Sequence, residues 1–63
     1  MIIKTKNAFQ LMKGEYLDID GFVIIEDVGM PYPDINVVEV TYRDFDNKAC
    51  IHYFWEMDEV RYK

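Results

Sequence analysis

The chain has 63 residues, of which 51% are hydrophobic and 16% aromatic, and carries a formal net charge of −5. That length gives one domain, residues 1–63, and leaves little room for a catalytic cleft, because a chain this short buries only about 60% of the surface its unfolded form exposes. The apolar content, with three glycines and two prolines, excludes a disordered chain, and the one cysteine, Cys50, excludes an internal disulfide framework.

From the N-terminus, Ile2 to Thr5 reads as a short strand. The stretch Met1 to Lys6 lacks the apolar segment and cleavage site of a signal peptide. The longest apolar run, Phe22-Val23-Ile24-Ile25, falls far short of the ~20 residues that cross a bilayer. With a reduced Cys50, these features lead to the expectation of a soluble cytoplasmic protein, and the start at Met1 fits a complete small gene product. Residues 7–13 read either as a helical turn capped by Asn7 and stopped at Gly14, or as a continuation of the strand.

Asp20-Gly21 is a favoured pair for a two-residue hairpin turn. It sets Ile19 opposite Phe22, Asp18 opposite Val23, Leu17 opposite Ile24 and Tyr16 opposite Ile25. Leu17, Ile19, Phe22 and Ile24 then share an apolar face. The next step would set Glu15 against Glu26, and like charges directly opposite are unfavourable, so the ladder is expected to end or bulge there. Gly29 to Asp34, with Pro31 and Pro33, reads as a loop because proline cannot donate to a sheet ladder.

The C-terminal half carries the clearest pattern. Asn36 to Asp44 and Lys48 to Trp55 are rich in β-branched and aromatic residues. A two-residue turn at Asp46-Asn47 pairs Arg43 with Cys50, Tyr42 with Ile51, Thr41 with His52, Val40 with Tyr53, Glu39 with Phe54 and Val38 with Trp55. One face then holds Val38, Val40, Tyr42, Ile51, Tyr53 and Trp55, and the other is mostly polar. Val60-Arg61-Tyr62 reads as a last strand after a turn at Glu56 to Glu59. About five short strands in so short a chain predict a mainly β fold. The economical form is a small antiparallel sheet curled into an SH3-like, partly open barrel, with one short helical turn near residues 7–13.

The charges are unevenly spread. Residues 1–13 carry +3, residues 14–42 carry −7 and residues 43–63 carry −1. Direct binding to nucleic acid needs a basic patch, which the centre of the chain lacks. Cys50 and His52 share a strand face with Glu39 diagonal to His52, yet one cysteine and one histidine do not supply the four ligands of a structural zinc site. Carboxylate pairs such as Glu26-Asp27, Asp44 with Asp46, and Asp58-Glu59 have no cleft to converge on and lack the pattern of a calcium loop. The sequence therefore points to no catalytic residue, metal or cofactor, and to a protein that is not an enzyme.

What remains is binding. Asp18, Asp20, Glu26, Asp27, Asp34 and Glu39 are candidates for one negative surface, which steers a chain onto a basic partner and can occupy a nucleic-acid-binding groove in place of phosphate. The plainer account is a solvated acidic face. Tyr32, Phe45 and Phe54 fall outside the expected core and are candidate interface aromatics. The leading expectation is a small acidic inhibitor or adaptor that docks on a basic protein surface, as in small proteins of bacteria and their viruses. Self-association through exposed edge strands, and an SH3-like or Tudor-like reader of basic or Pro-containing peptides, are the alternatives.

Overall fold

A computed structural model of the chain describes residues 3–63. Six strands form one antiparallel sheet: β1 (Lys4–Asn7), β2 (Tyr16–Asp18), β3 (Phe22–Gly29), β4 (Val37–Arg43), β5 (Ala49–Trp55) and β6 (Glu59–Tyr62). Their order across the sheet is β1-β6-β2-β3-β4-β5, so β1 and β5 are its edges and the sheet is not closed. The expected first strand lies two residues later in the chain, and Ile2 is outside the described residues.

Residues 7–13 combine the two expected conformations. Asn7 ends β1, and Ala8–Gln10 makes a single 3-10 turn. The side chain of Gln10 accepts from the Asn7 N–H (3.1 Å), while the Asn7 side-chain amide donates to the Met57 carbonyl (2.9 Å). Backbone bonds from Ala8 N–H to Asp58 O (2.8 Å) and from Phe9 N–H to Glu56 O (3.1 Å) fasten this turn to the β5–β6 connection. Ala8 and Leu11 are thereby carried into the core.

A bulge in β3 lets one strand serve two partners. Phe22 to Ile24 pair with β2, and Ile25 to Gly29 pair with β4, with a register shift between Ile25 and Asp27 at Glu26. An extra residue bends the bulged strand and tightens its twist. The two halves of the sheet fold over a core of Ala8, Leu11, Leu17, Ile25, Val38, Val40 and Val60, with Ile19, Val28, Phe54 and Tyr62 packed against it. As expected, the β2–β3 ladder ends at Tyr16 and Ile24, and β3 bulges at Glu26, so Glu15 is not set against Glu26. Glu15 turns to Lys6 (2.6 Å) and also accepts from the Met12 N–H (2.7 Å), while Glu26 pairs with Arg43 (3.0 Å).

Both hairpins have a register one residue away from the expected one. Asp18 faces Phe22, Leu17 faces Val23 and Tyr16 faces Ile24. Arg43 faces Ala49, Tyr42 faces Cys50, Val40 faces His52, Val38 faces Phe54 and Val37 faces Trp55. The cause is the same in each. The loop is three residues long, Ile19-Asp20-Gly21 in one and Phe45-Asp46-Asn47 in the other, with the Asp-Gly or Asp-Asn pair filling its last two positions. An aspartate just before each loop holds it. Asp18 Oδ1 accepts from the Gly21 N–H (3.2 Å), and Asp44 Oδ1 accepts from the Asp46 and Lys48 N–H groups (both 2.9 Å). Asn47, at φ 62, fills the left-handed position that closes a three-residue hairpin loop.

A one-residue slip turns one strand of a hairpin over relative to its partner. Val38 and Val40 remain inward as expected, but β5 is reversed. Ile51, Tyr53 and Trp55, expected in the core, are exposed, and Phe54, expected outside, packs against the core. In the first hairpin Leu17 is buried as expected, but its inward neighbour is Val23, and Ile24 is exposed.

Candidate docking face

The outward side of β3, β4 and β5 is built in rows across the strands. Asp27, Thr41 and Ile51 make one row; Gly29, Glu39 and Tyr53 make the next; Val37 and Trp55 make the last. The opposite side of the same strands carries Val28, Val40 and Phe54 into the core region. Ile51, Tyr53 and Trp55 are 56%, 49% and 63% exposed, whereas Val37, in the same layer, is buried without belonging to the core cluster.

The loop of residues 30–36 extends this face. It turns through a bond from the Ile35 N–H to Tyr32 O (3.2 Å) and sets the Tyr32 ring 6.3 Å from that of Tyr53, at 41°. Met30, Tyr32 and Ile35 are exposed. The Tyr53 hydroxyl donates to Glu39 Oε2 (3.0 Å). That bond to a carboxylate, followed by the neighbouring Tyr32 hydroxyl, holds the phenol in its neutral form and pushes its pKa up to about 12. On the inward side, burial, and after it the thiol of Cys50, raises the Tyr42 hydroxyl.

The candidate residues separate into groups. Tyr32, Glu39 and Asp27 belong to the outward face or its adjoining loop. Asp34 lies in that same loop and is exposed. Asp18 and Asp20 sit at the first hairpin turn, a strand length away along β3, and Asp18 is engaged by Arg61 (3.6 Å). Phe45, 76% exposed, lies over that same turn, since a Cβ placed on Gly21 would fall 2.9 Å from its Cζ. Glu26 is neutralised by Arg43. Phe54 is turned inward, its ring 4.4 Å from that of His52. The acids of residues 14–42 therefore do not make one continuous surface, and the Cys50-His52-Glu39 grouping is not assembled, because Glu39 faces away from the other two.

Ile51, Tyr53 and Trp55 were legible only through the turn. Asp44, three residues before Asn47, is the signal that the loop holds an extra residue. Among the described residues, no group of three or more His, Cys, Asp or Glu side chains is placed to hold a metal ion, and no helix is long and apolar enough to cross a membrane. Comparison with protein-family models, with curated proteins and with solved structures gives no match in any of the three.

Proposed function

We propose that this chain is a non-enzymatic protein-binding module that docks on a basic surface of a partner protein through the outward face of β3–β5. The observation that carries this reading is the orientation of β5. Its side chains alternate between a larger apolar set, Ile51, Tyr53 and Trp55, and a smaller set, Cys50, His52 and Phe54, and the strand turns the larger set to solvent. A small domain has few apolar groups to spare, so a contiguous exposed set marks a surface that another protein covers.

The chemistry of the face selects the partner. Asp27 and Glu39 stand among Tyr32, Tyr53 and Trp55, and an aromatic face beside a carboxylate receives a guanidinium or ammonium group through ring quadrupole and charge together. Ion pairing of Asp18 and Glu26 within the chain shifts the weight of the reading away from the hairpin acids and from phosphate mimicry, toward this face. The tilted Tyr32–Tyr53 pair favours a second reading on the same surface, a reader of basic or Pro-containing peptides. The SH3-like, partly open barrel belongs to this proposal. It is supported by the fastening of the 3-10 turn to the end of β5. A cytoplasmic setting is inferred from the lone free thiol of Cys50.

Trp55 is the one tryptophan, so its emission reports on the face directly. Titration with an Arg-rich peptide, an Arg-Pro peptide and a neutral peptide of equal length distinguishes the readings. Saturable change with the Arg-rich peptide, weakened by salt and lost in Asp27→Lys/Glu39→Lys, is the expected result. Preference for the Arg-Pro peptide selects the second reading. Equal response to the neutral peptide, or none to any, overturns the proposal.

A further inference from the structure

The outer edge of β5 is open. Backbone bonds between Asp44 N–H and Lys48 O (3.0 Å) at one end, and between Glu56 N–H and Asn36 O (2.8 Å) at the other, set the alternation of the β4–β5 ladder. Cys50, His52 and Phe54 direct their backbone groups to β4, and Ala49, Ile51, Tyr53 and Trp55 direct theirs away from it. Trp55 is satisfied by Asp58, whose Oδ2 accepts from its N–H (3.0 Å) and whose N–H donates to its carbonyl (3.0 Å). No strand among the described residues pairs with Ile51 or Tyr53 on that side.

We infer that β5 pairs antiparallel with β5 of a second copy of this chain, in the register that sets Ile51 opposite Tyr53 and Lys48 opposite Glu56. The inference is independent of the docking proposal, because it uses the strand's edge and ends while the outward side chains remain available. The strand is self-complementary in this register. A two-fold axis passes through His52, reciprocal backbone bonds join Ile51 to Tyr53 on each side of it, and Ala49 leaves space beside Trp55. At each end the Lys48 ammonium meets a Glu56 carboxylate. Neither side chain has an ion partner among the described residues of its own chain.

The competing registers are less favourable. Shifting so that Ile51 meets itself adds backbone bonds between Ala49 and Tyr53, but it sets Asp46 against Glu56 and Lys48 against Phe54. Edge groups otherwise bond to water, so the extra bonds add little, while like charges opposite each other oppose pairing. Shifting the other way requires the backbone of Trp55, which Asp58 already occupies. A closed two-fold pairing also protects an edge that would otherwise invite open-ended association.

Sedimentation velocity over a wide concentration range is the test. A concentration-dependent dimer is expected. Lys48→Glu and Glu56→Lys should each raise the dimer dissociation constant roughly tenfold, and the doubly reversed variant should restore it. An effect of net charge alone would make Glu56→Lys associate more tightly than the native chain, and that result overturns the register. Ile51→Pro removes an outward N–H, a change edge strands tolerate, along with the exposed side chain; it should give a monomer with an unchanged far-ultraviolet circular dichroism spectrum, whereas Ile51→Ala, which keeps the N–H, should still dimerise. A strictly monomeric native chain at millimolar concentration, or an Ile51→Pro variant that is folded and still dimeric, overturns the pairing itself.

Discussion

Asp18 and Asp44 each accept hydrogen bonds from the backbone that follows them, and in doing so they set the length of the turn. Replacing Asp44 with alanine leaves the Asp46 and Lys48 N–H groups to water and should cost about 1 kcal/mol, since both donors are near the surface. Urea unfolding of Asp44→Ala checks this, and Asp44→Asn, which keeps an acceptor in place, should recover most of the loss. Gly21 is constrained differently. Its φ of +117 is a conformation that side chains rarely adopt, and an added Cβ would meet the Phe45 ring at 2.9 Å. The exposed ring can move aside, so the backbone strain dominates, and Gly21→Ala should destabilise by about 1–3 kcal/mol in the same measurement. Lys6 joins three parts of the chain: its ammonium meets the Glu15 carboxylate at 2.6 Å and lies 4.2 Å from the centre of the Tyr62 ring.

Strand β5 presents a broad apolar side to solvent, and Tyr53 ties it to β4 through its hydrogen bond to Glu39 and to the loop of residues 30–36 through its ring contact with Tyr32. A phenol whose pKa is raised in the folded chain binds its proton more tightly there than in the unfolded chain. The stabilisation it confers is therefore fully present below pH 10, the ordinary tyrosine value, and is lost as pH rises through about 12. Spectrophotometric titration of the five tyrosines should show the Tyr53 step as a late one, alongside a delayed Tyr42. Tyr53→Phe should remove that late step, and Glu39→Gln should move it back toward the ordinary range. In β3 the bulge at Glu26 divides one strand between two partners and bends the sheet around its core.

The whole molecule depends on few buried groups. Leu17, Ile25, Val38 and Val40 are its largest fully buried side chains. A chain of this length gains only about 3–5 kcal/mol in net stability from its core, while truncating a buried leucine to alanine costs about 2–5 kcal/mol. Leu17→Ala should thus leave the domain largely unfolded at room temperature by circular dichroism, and Tyr16→Ala, on the exposed side of the same strand, should not. Ile51, Tyr53 and Trp55 stand exposed on one side of β5 while little apolar surface is buried elsewhere.

Strand content, the loop around Pro31 and Pro33, the inward face of β4 and the final strand were all legible in the sequence, because alternation and proline act locally along the chain. The 3-10 turn at Ala8–Gln10 was legible only as one of two choices, since its donors are satisfied by Glu56 and Asp58, which are distant in sequence. Register was not legible in the same way. Asp-Gly and Asp-Asn signal a turn in any context, but whether they fill a two-residue loop or close a three-residue one depends on the preceding aspartate reaching the backbone beyond. Because side chains alternate with a period of two, that single residue decided that Ile51, Tyr53 and Trp55 point away from the core and Phe54 packs against it. Alternation and turn signals along the chain are enough to specify a small antiparallel β domain with Val38 and Val40 inside. That Ile51, Tyr53 and Trp55 lie outside depends instead on side-chain-to-backbone bonds in the folded loop, which alternation along the chain does not encode.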